Sequence, residues 1–301
     1  MKVMIAGGSG FIGTALTKKL RSAGHRVWIL TRKKSNKPDE INWDGKTING
    51  WSARLAEMDA VINLTGFGLE HWPWTNSHKQ RFHDSRVISG AALATAIKNS
   101  EHRPGVFVQI SGINYYGTQG NTIADEQTPP SGDYLGQLTV HWEAATQTIE
   151  ELGVRRIIAR SAVVLDMHGG LFPLMALPVR LFVGGRLGRG IQAVPWIHLA
   201  DQTSALCFLL ENTDANGVFN LISPTQTSNA EFMHAIAKAL HRPYWFSTPS
   251  ILLKAILGEM SALVVEGRYS RPRRLLELGY QFQFPTIESA LQDLFGKAVS
   301  E

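Results

Sequence analysis

The strongest constraint on this chain lies at its N-terminal end. Val3, Met4, Ile5 and Ala6 form a short, wholly apolar run, the pattern of a strand buried on both faces. Gly7-Gly8-Ser9-Gly10-Phe11-Ile12-Gly13 follows directly. A helical pattern then begins, with Ile12, Ala15, Leu16 and Leu20 recurring at helical spacing, and Gly24 ends it. Val27 to Leu30 is the next apolar strand. Strand, glycine-rich turn, helix and strand in so short a space predict the start of a parallel dinucleotide-binding sheet. The glycines have separate tasks. Gly7 permits the tight turn, Gly10 lets backbone approach a pyrophosphate, and Gly13 lets the helix pack close to the strand. The amides that open the helix then face phosphate charge. Ser9, Phe11 and Ile12 lie in the same turn and join Gly7, Gly10 and Gly13 as candidate cofactor contacts.

The end of the second strand selects the cofactor. An Asp or Glu there would bind a ribose 2′-hydroxyl. This strand ends instead in Leu30-Thr31-Arg32-Lys33-Lys34. A guanidinium matches a pair of phosphate oxygens, so NADP(H) is expected, with Thr31 and Arg32 at the 2′-phosphate. A further strand, Asp59 to Thr65, ends at Gly66 and directs Leu64, Thr65 and Gly66 toward the ligand crevice. A long helix from Ser77 to Lys98 carries Arg81 and Arg86, of which Arg86 is the favoured contact for cofactor phosphate or substrate.

Strands and helices continue to alternate. Val106 to Ile110 ends in Ser111, a helix is expected from Tyr134 to Leu152, and Arg156 to Arg160 forms another strand. The regular alternation predicts an α/β protein, a Rossmann-like doubly wound parallel sheet. In the second half, strands are expected at Ala193 to Ile197, Gly217 to Ile222 and Pro243 to Ser247. Helices are expected at Leu199 to Leu210 and Ser228 to Leu240, with mostly helical chain beyond. Residues 1–165 are read as an NADP-binding domain with a returning helix near 198–211. Residues 166–301 are read mostly as a smaller mixed α/β lobe on the substrate side. His198 and Asp201 are read as capping or orienting residues. Arg186 and Arg189, in a glycine-rich loop, are candidates for an anionic substrate group.

Composition narrows the class. In 301 residues, 44% are hydrophobic and 18% charged, which excludes a disordered chain. Cys207 is the single cysteine, so no intramolecular disulfide forms and a reducing cytoplasm is expected. The first apolar run is too short for a signal-peptide core. Leu171 to Val183 is broken by Pro173, Pro178 and Arg180, so no membrane span is expected. The net charge of +5 is concentrated between Lys18 and Lys37 and around Arg268, Arg271, Arg273 and Arg274. No zinc-finger spacing, RNA-binding signature or long basic tail accompanies it, so neither nucleic acid nor a metal is expected.

The turn's G-x-x-G-x-x-G spacing with Phe11-Ile12 resembles the extended short-chain dehydrogenase/reductase superfamily. That resemblance implies a Ser or Thr after the fifth strand and Tyr-x-x-x-Lys on the next helix, where the lysine lowers the tyrosine's pKa. Four residues beyond the six tyrosines stand Gln119, Gly120, Leu138, Thr248, Arg273 and Phe284, and no lysine lies between Lys98 and Lys238. The usual proton-transfer pair is therefore missing. Ser111, Tyr115 and Tyr116 remain as catalytic candidates, although an unassisted tyrosine of pKa about 10 is a poor base near neutrality.

More of the chain carries a narrower resemblance. Ser85-Arg86, Tyr115-Tyr116-Gly117, Trp142-Glu143, Gly184-Gly185-Arg186-Leu187-Gly188-Arg189-Gly190, Pro195-Trp196-Ile197-His198, Asn229-Ala230-Glu231-Phe232 and Leu257-Gly258-Glu259-Met260 are similar to an atypical extended short-chain dehydrogenase group, the epimerase family with a C-terminal domain of unknown function. The resemblance implies cofactor contacts by Gly7, Gly10, Gly13, Thr31, Arg32, Leu64, Thr65 and Arg86, and adds Val164. Gly112 and Asn114 stand where small apolar residues are more usual. The expected function is an NADP(H)-dependent oxidoreductase or nucleotide-sugar-epimerase-like enzyme acting on an unidentified small molecule. The alternative is a non-catalytic NADP(H)-binding regulator or scaffold.

Overall fold

The computed structural model describes residues 1–118 and 122–296. Among the described residues, nine strands form: β1 (Lys2–Ala6), β2 (Arg26–Thr31), β3 (Glu40–Asn42), β4 (Ala60–Asn63), β5 (Val106–Gly112), β6 (Arg155–Ser161), β7 (Val163–Leu165), β8 (Trp196–His198) and β9 (Gly217–Leu221). Seven pair in parallel in the order β3-β2-β1-β4-β5-β6-β9, and β7 pairs with β8 separately. The order reverses on either side of β1. The carboxyl ends of β1 and β4 therefore flank a topological switch point, where ligands of such sheets bind.

The helices are α1 (Phe11–Ser22), α2 (Asn76–Asn99), α3 (Tyr134–Ala144), α4 (Phe172–Arg180), α5 (Leu199–Glu211), α6 (Asn229–Ala239), α7 (Ser250–Leu257), α8 (Ala262–Val265), α9 (Arg273–Glu277) and α10 (Ile287–Gly296). On one face of the sheet, Leu16 and Leu20 of α1 and Leu206 and Leu209 of α5 pack over Val3, Ile5 and Ile29. On the other, Leu93 and Ile97 of α2 join Trp51, Met4, Val61 and Phe107. Coverage of both faces is why the strands read as continuous apolar runs. A third cluster joins Phe172, Phe232 and Phe295 of α4, α6 and α10. Its buried members all lie between Leu165 and Phe295.

Several boundaries differ from the sequence pattern. The helix expected through Leu152 ends at Ala144, and a 3₁₀ turn covers Gln147–Leu152. Arg156 of β6 explains the break: it donates to the Glu143 carbonyl and to Thr146 Oγ1, occupying acceptors at the helix end. Pro243 to Ser247 is not a strand. The amides of Trp245 and Phe246 both turn to the Gly184 carbonyl, which no regular ladder allows. Pro173 and Pro178 concealed α4, yet Pro173 stands in its first turn, where no backbone N–H is required. The main sheet also recruits chain beyond residue 165, since β9 pairs with β6. His198 caps α5 by accepting from the Ala200 amide, and Asp201 accepts from the amides of Gln283 and Phe284.

Candidate functional site

The glycine turn between β1 and α1 is built as its sequence requires. Gly7 has φ of +79°, in the left-handed region. A Cβ on Gly13 would lie 2.3 Å from the Gly7 carbonyl oxygen and 2.6 Å from the Gly8 Cα, so only glycine fits. Gly10 is the N-cap of α1, with no side chain capping it and no acid in the first turn. The start of the helix therefore offers uncompensated amides and positive potential to the cleft.

At the end of β2, Thr31 is buried, with its hydroxyl 3.3 Å from that of Ser9. Arg32 and Lys33 follow on the rim. With Lys46 and Arg81 they line a recess of about 510 Å³ that also holds Gly7, Ser9 and Gly10. Asp44, on the same wall, is tied to the amides of Lys46 and Thr47 at 2.8 Å. Lys46 was not legible as a site residue; it arrives from a loop after β3 with no motif to mark it.

The loop after β4 is fastened by α2. Asn63 Oδ1 accepts from the Thr65 amide (3.0 Å) and hydroxyl (2.6 Å), and that hydroxyl also meets Ser89 Oγ at 2.6 Å. Ser85 Oγ accepts from the Phe67 amide at 2.8 Å. Arg86 Nη1 donates to the carbonyls of Phe67 and Phe82, both at 3.0 Å. Arg86 is only 7% exposed, and burial lowers its pKa to about 10, so it remains charged at neutrality. Its guanidinium lies 4.7 Å from the Trp142 ring centroid. Arg86 thus braces the loop and forms part of a cavity wall at once.

That cavity, of about 330 Å³, is lined by Phe11, Ile12, Arg86, Ser111, Trp142 and Val164 among others. It shares Leu64, Thr65, Gly66 and Phe67 with the cationic recess, so the two form one cleft across the switch point. Phe11 is covered by the Gly169-Gly170 loop: a Cβ on Gly169 would lie 2.5 Å from its ring.

Ser111 is brought to the cavity, and its hydroxyl donates to Glu143 Oε1 at 2.6 Å. Arg160 grips the same carboxylate twice, Nε to Oε1 at 2.8 Å and Nη2 to Oε2 at 2.7 Å. Burial opposes the charge on Arg160, but Glu143 outweighs it and raises the guanidinium's pKa above its ordinary value. Glu143 is a site residue that sequence reasoning missed; its only signal was its place beside Trp142. Among the described residues, the Trp142 indole N–H has no hydrogen-bond partner and is itself buried, while other atoms of the ring line the cavity.

The two candidate tyrosines lie beside Arg160 rather than on the cavity wall. Tyr116 is 1% exposed, donates to Asn220 Oδ1 at 2.8 Å and accepts from Arg160 Nη1 at 2.9 Å. Burial pushes its pKa up to about 12. Tyr115 lies against Arg160, whose Cζ is 3.3 Å from its ring centroid. Neither tyrosine lines the cavity. Arg186 and Arg189 are exposed and likewise off the cavity wall. The lobe contributes Arg268 instead, which donates to the Tyr116 carbonyl at 3.2 Å. Among the described residues, no group of three or more His, Cys, Asp or Glu could hold a metal ion.

Comparison with known proteins agrees with this architecture. Residues 3–221 match the NAD dependent epimerase/dehydratase family, and residues 248–294 match a domain of unknown function, DUF1731. The epimerase family protein SDR39U1 of Mus musculus is 37% identical over 298 residues, covering 98% of this chain and 99% of that protein. A crystal structure of human SDR39U1 (isoform 2) with NADPH has a TM-score of 0.91 at 34% identity, over 98% of this chain and 99% of that one. A nucleoside-diphosphate sugar epimerase from Corynebacterium glutamicum has a TM-score of 0.82 at 27% identity, over 99% of this chain and 58% of that one. The match across the whole parallel sheet, together with likenesses that cover nearly all of this chain, places it in the NAD dependent epimerase/dehydratase family.

Proposed function

We propose that this protein is an NADP(H)-dependent oxidoreductase or epimerase of the atypical extended short-chain dehydrogenase type. The observation that carries the reading is the continuous cleft, which runs from the cations of Arg32, Lys33, Lys46 and Arg81, past the glycine turn, to Ser111. The residues present fit the cofactor. Gly7, Gly10 and Gly13 leave room for a pyrophosphate at the start of α1, and a cationic rim replaces the carboxylate that a 2′-hydroxyl would need. Ser9, Phe11, Ile12, Leu64, Thr65, Gly66, Arg86 and Val164 complete its walls. A bound nicotinamide supplies hydride transfer.

The chain's own residues handle orientation and protons. The Ser111 hydroxyl donates its proton to Glu143, which leaves the oxygen's lone pairs to accept, and in this reading they accept from a substrate hydroxyl in the cavity that Ser111 lines. As that hydroxyl gives up its proton to Ser111 Oγ, the serine's own proton passes to Glu143 Oε1. Arg160 holds both carboxylate oxygens in place for the exchange. Arg86 and Arg268, both lining the cavity, are the donors for an anionic or carbonyl group of the substrate. Residues 166–301 mostly supply the substrate side, through Gly170, Leu171, Val194 and Arg268. The buried lone thiol of Cys207 suits work in a reducing cytoplasm.

The test follows NADPH at 340 nm against carbonyl compounds and sugar nucleotides, with products analysed for redox-neutral epimerisation. The expected result is turnover that falls about a hundredfold in Ser111→Ala and in Glu143→Gln. Turnover unchanged in both variants would remove them from the mechanism. A second reading rests on the missing Tyr-x-x-x-Lys and on the tyrosines' withdrawal from the cavity: a non-catalytic NADP(H)-binding regulator. Tight NADPH binding with neither oxidation nor product would favour it.

A further inference from the structure

Two stretches of the C-terminal lobe contain no acidic residue: none lies between Asp166 and Asp201, and none between Glu231 and Glu259. The fold joins them into one surface. Trp245 and Phe246 donate backbone N–H to the Gly184 carbonyl, Thr248 donates to the Arg186 carbonyl (3.0 Å), and Gly188 donates to the Thr248 carbonyl (2.8 Å). The Trp245 indole donates to the Phe182 carbonyl at 3.1 Å, and the Arg242 guanidinium stands 4.1 Å over the Phe182 ring.

This surface leaves large apolar side chains in water. Leu181 is 62% exposed, Phe182 50%, Trp245 70%, Phe246 55%, Ile251 81% and Ile256 56%. α7, with the sequence SILLKAIL, contributes no buried residue at all. Contiguous apolar surface of this kind marks an interaction site. The same segments expose Arg180, Arg186, Arg242 and Lys254. The four acids that bound the two stretches have partners of their own: Asp166 accepts from the His168 amide, Asp201 from the amides of Gln283 and Phe284, Glu231 from the Ser228 amide and hydroxyl, and Glu259 pairs with Lys79. None of the six apolar residues lines the cleft.

We propose that this face docks on an anionic phospholipid surface. The aromatic and aliphatic side chains enter the headgroup boundary while the four cations meet lipid anions. No helix of the described residues is long and apolar enough to cross a membrane, so the contact is peripheral. Charge chooses the occupant. A two-fold dimer would lay the patch on itself and gather two sets of Arg180, Arg186, Arg242 and Lys254 into one interface, with no acid in either stretch to compensate. An anionic lipid surface complements both halves of the patch.

The test is sedimentation of the full chain with phosphatidylcholine vesicles, with and without phosphatidylglycerol, at low and high salt. Expected is co-sedimentation with the anionic vesicles only, weakened by salt. The double variant Trp245→Ser/Ile251→Ser should lose binding about tenfold or more. Arg242→Glu/Lys254→Glu should lose the response to phosphatidylglycerol. Both should keep wild-type NADPH affinity and melting temperature. The salt and lipid dependence of the wild type is informative even if a variant fails to fold. Absence of co-sedimentation at low salt overturns the proposal, as does equal binding to both vesicle types. A dimer in sedimentation equilibrium that the same substitutions dissolve would assign the face to a second copy. Binding only to an acidic protein would assign it to that partner, and either result overturns the proposal.

Discussion

At the scale of single residues, Gly13 and Tyr116 show how differently sequence signals translate into roles. A methyl on Gly13 meets only backbone, the Gly7 carbonyl and Gly8, so nothing nearby can rotate away. Overpacking of this kind costs about 1–3 kcal/mol. Gly13→Ala should therefore lower the melting temperature and weaken NADPH binding roughly tenfold or more, measured by calorimetry and fluorescence titration. Tyr116 is the opposite case. Its hydroxyl joins Asn220 to Arg160, out of reach of the cavity. Tyr116→Phe should cost about 1–3 kcal/mol of stability, because two buried groups lose a partner. With its pKa pushed up to about 12 by burial, that hydroxyl stays protonated near neutrality. Rates in the variant, followed between about pH 6 and 9, should keep the wild-type profile. A profile that loses a limb would return the tyrosine to catalysis. The glycines were legible because backbone geometry dictates them locally. The burial of Tyr116 was not legible because its partners lie 44 and 104 residues away in sequence. Glu143 escaped for the same reason: Arg160, which gives it meaning, sits on another element.

At the scale of elements, periodicity was legible wherever one element decides its own ends. α2 spans Asn76–Asn99 and Thr75 caps it by accepting from the His78 amide, close to the pattern in the sequence. The misses occur where tertiary partners intervene, as when Arg156 breaks the helix after Ala144. The segment around Asp125 is another element defined from afar. Ala124 N donates to the Tyr269 carbonyl at 2.8 Å, and Arg271 N donates to the Ala124 carbonyl at 2.9 Å. Arg271 Nη2 adds a 2.9 Å bond to Asp125 Oδ2. That bond holds the Asp125 carboxyl below its ordinary pKa. A carboxyl whose folded pKa is depressed stabilises the fold above its unfolded value of about 3.9, and the gain fades as pH falls through the folded pKa. Asp125→Asn should therefore reduce stability at neutral pH and shrink the difference from wild type in strong acid. Urea melts at several pH values read this directly, and a difference that grew on acidification would refute the assignment.

At the scale of the whole molecule, the parallel sheet was legible from the alternation of strands and helices. The return of β9 to the sheet edge, after the excursion through α4 and β8, was not legible as such. Its strand pattern was visible, but the sequence alone does not say which neighbour it pairs with. The cleft depends on that return, since Asn220 of β9 fixes Tyr116, and Tyr116 and Glu143 fix Arg160. The proposed selection of the cofactor rests on the other end, where Arg32 stands in place of an acid at the tip of β2. The most direct test is a paired equilibrium titration of NADPH and NADH into wild type and Arg32→Ala. Wild type is expected to prefer NADPH by about a hundredfold, and the variant to lose about tenfold for NADPH with NADH little changed. Equal affinity for the two cofactors in wild type, or equal losses for both in the variant, would contradict NADP(H) as the ligand of this cleft.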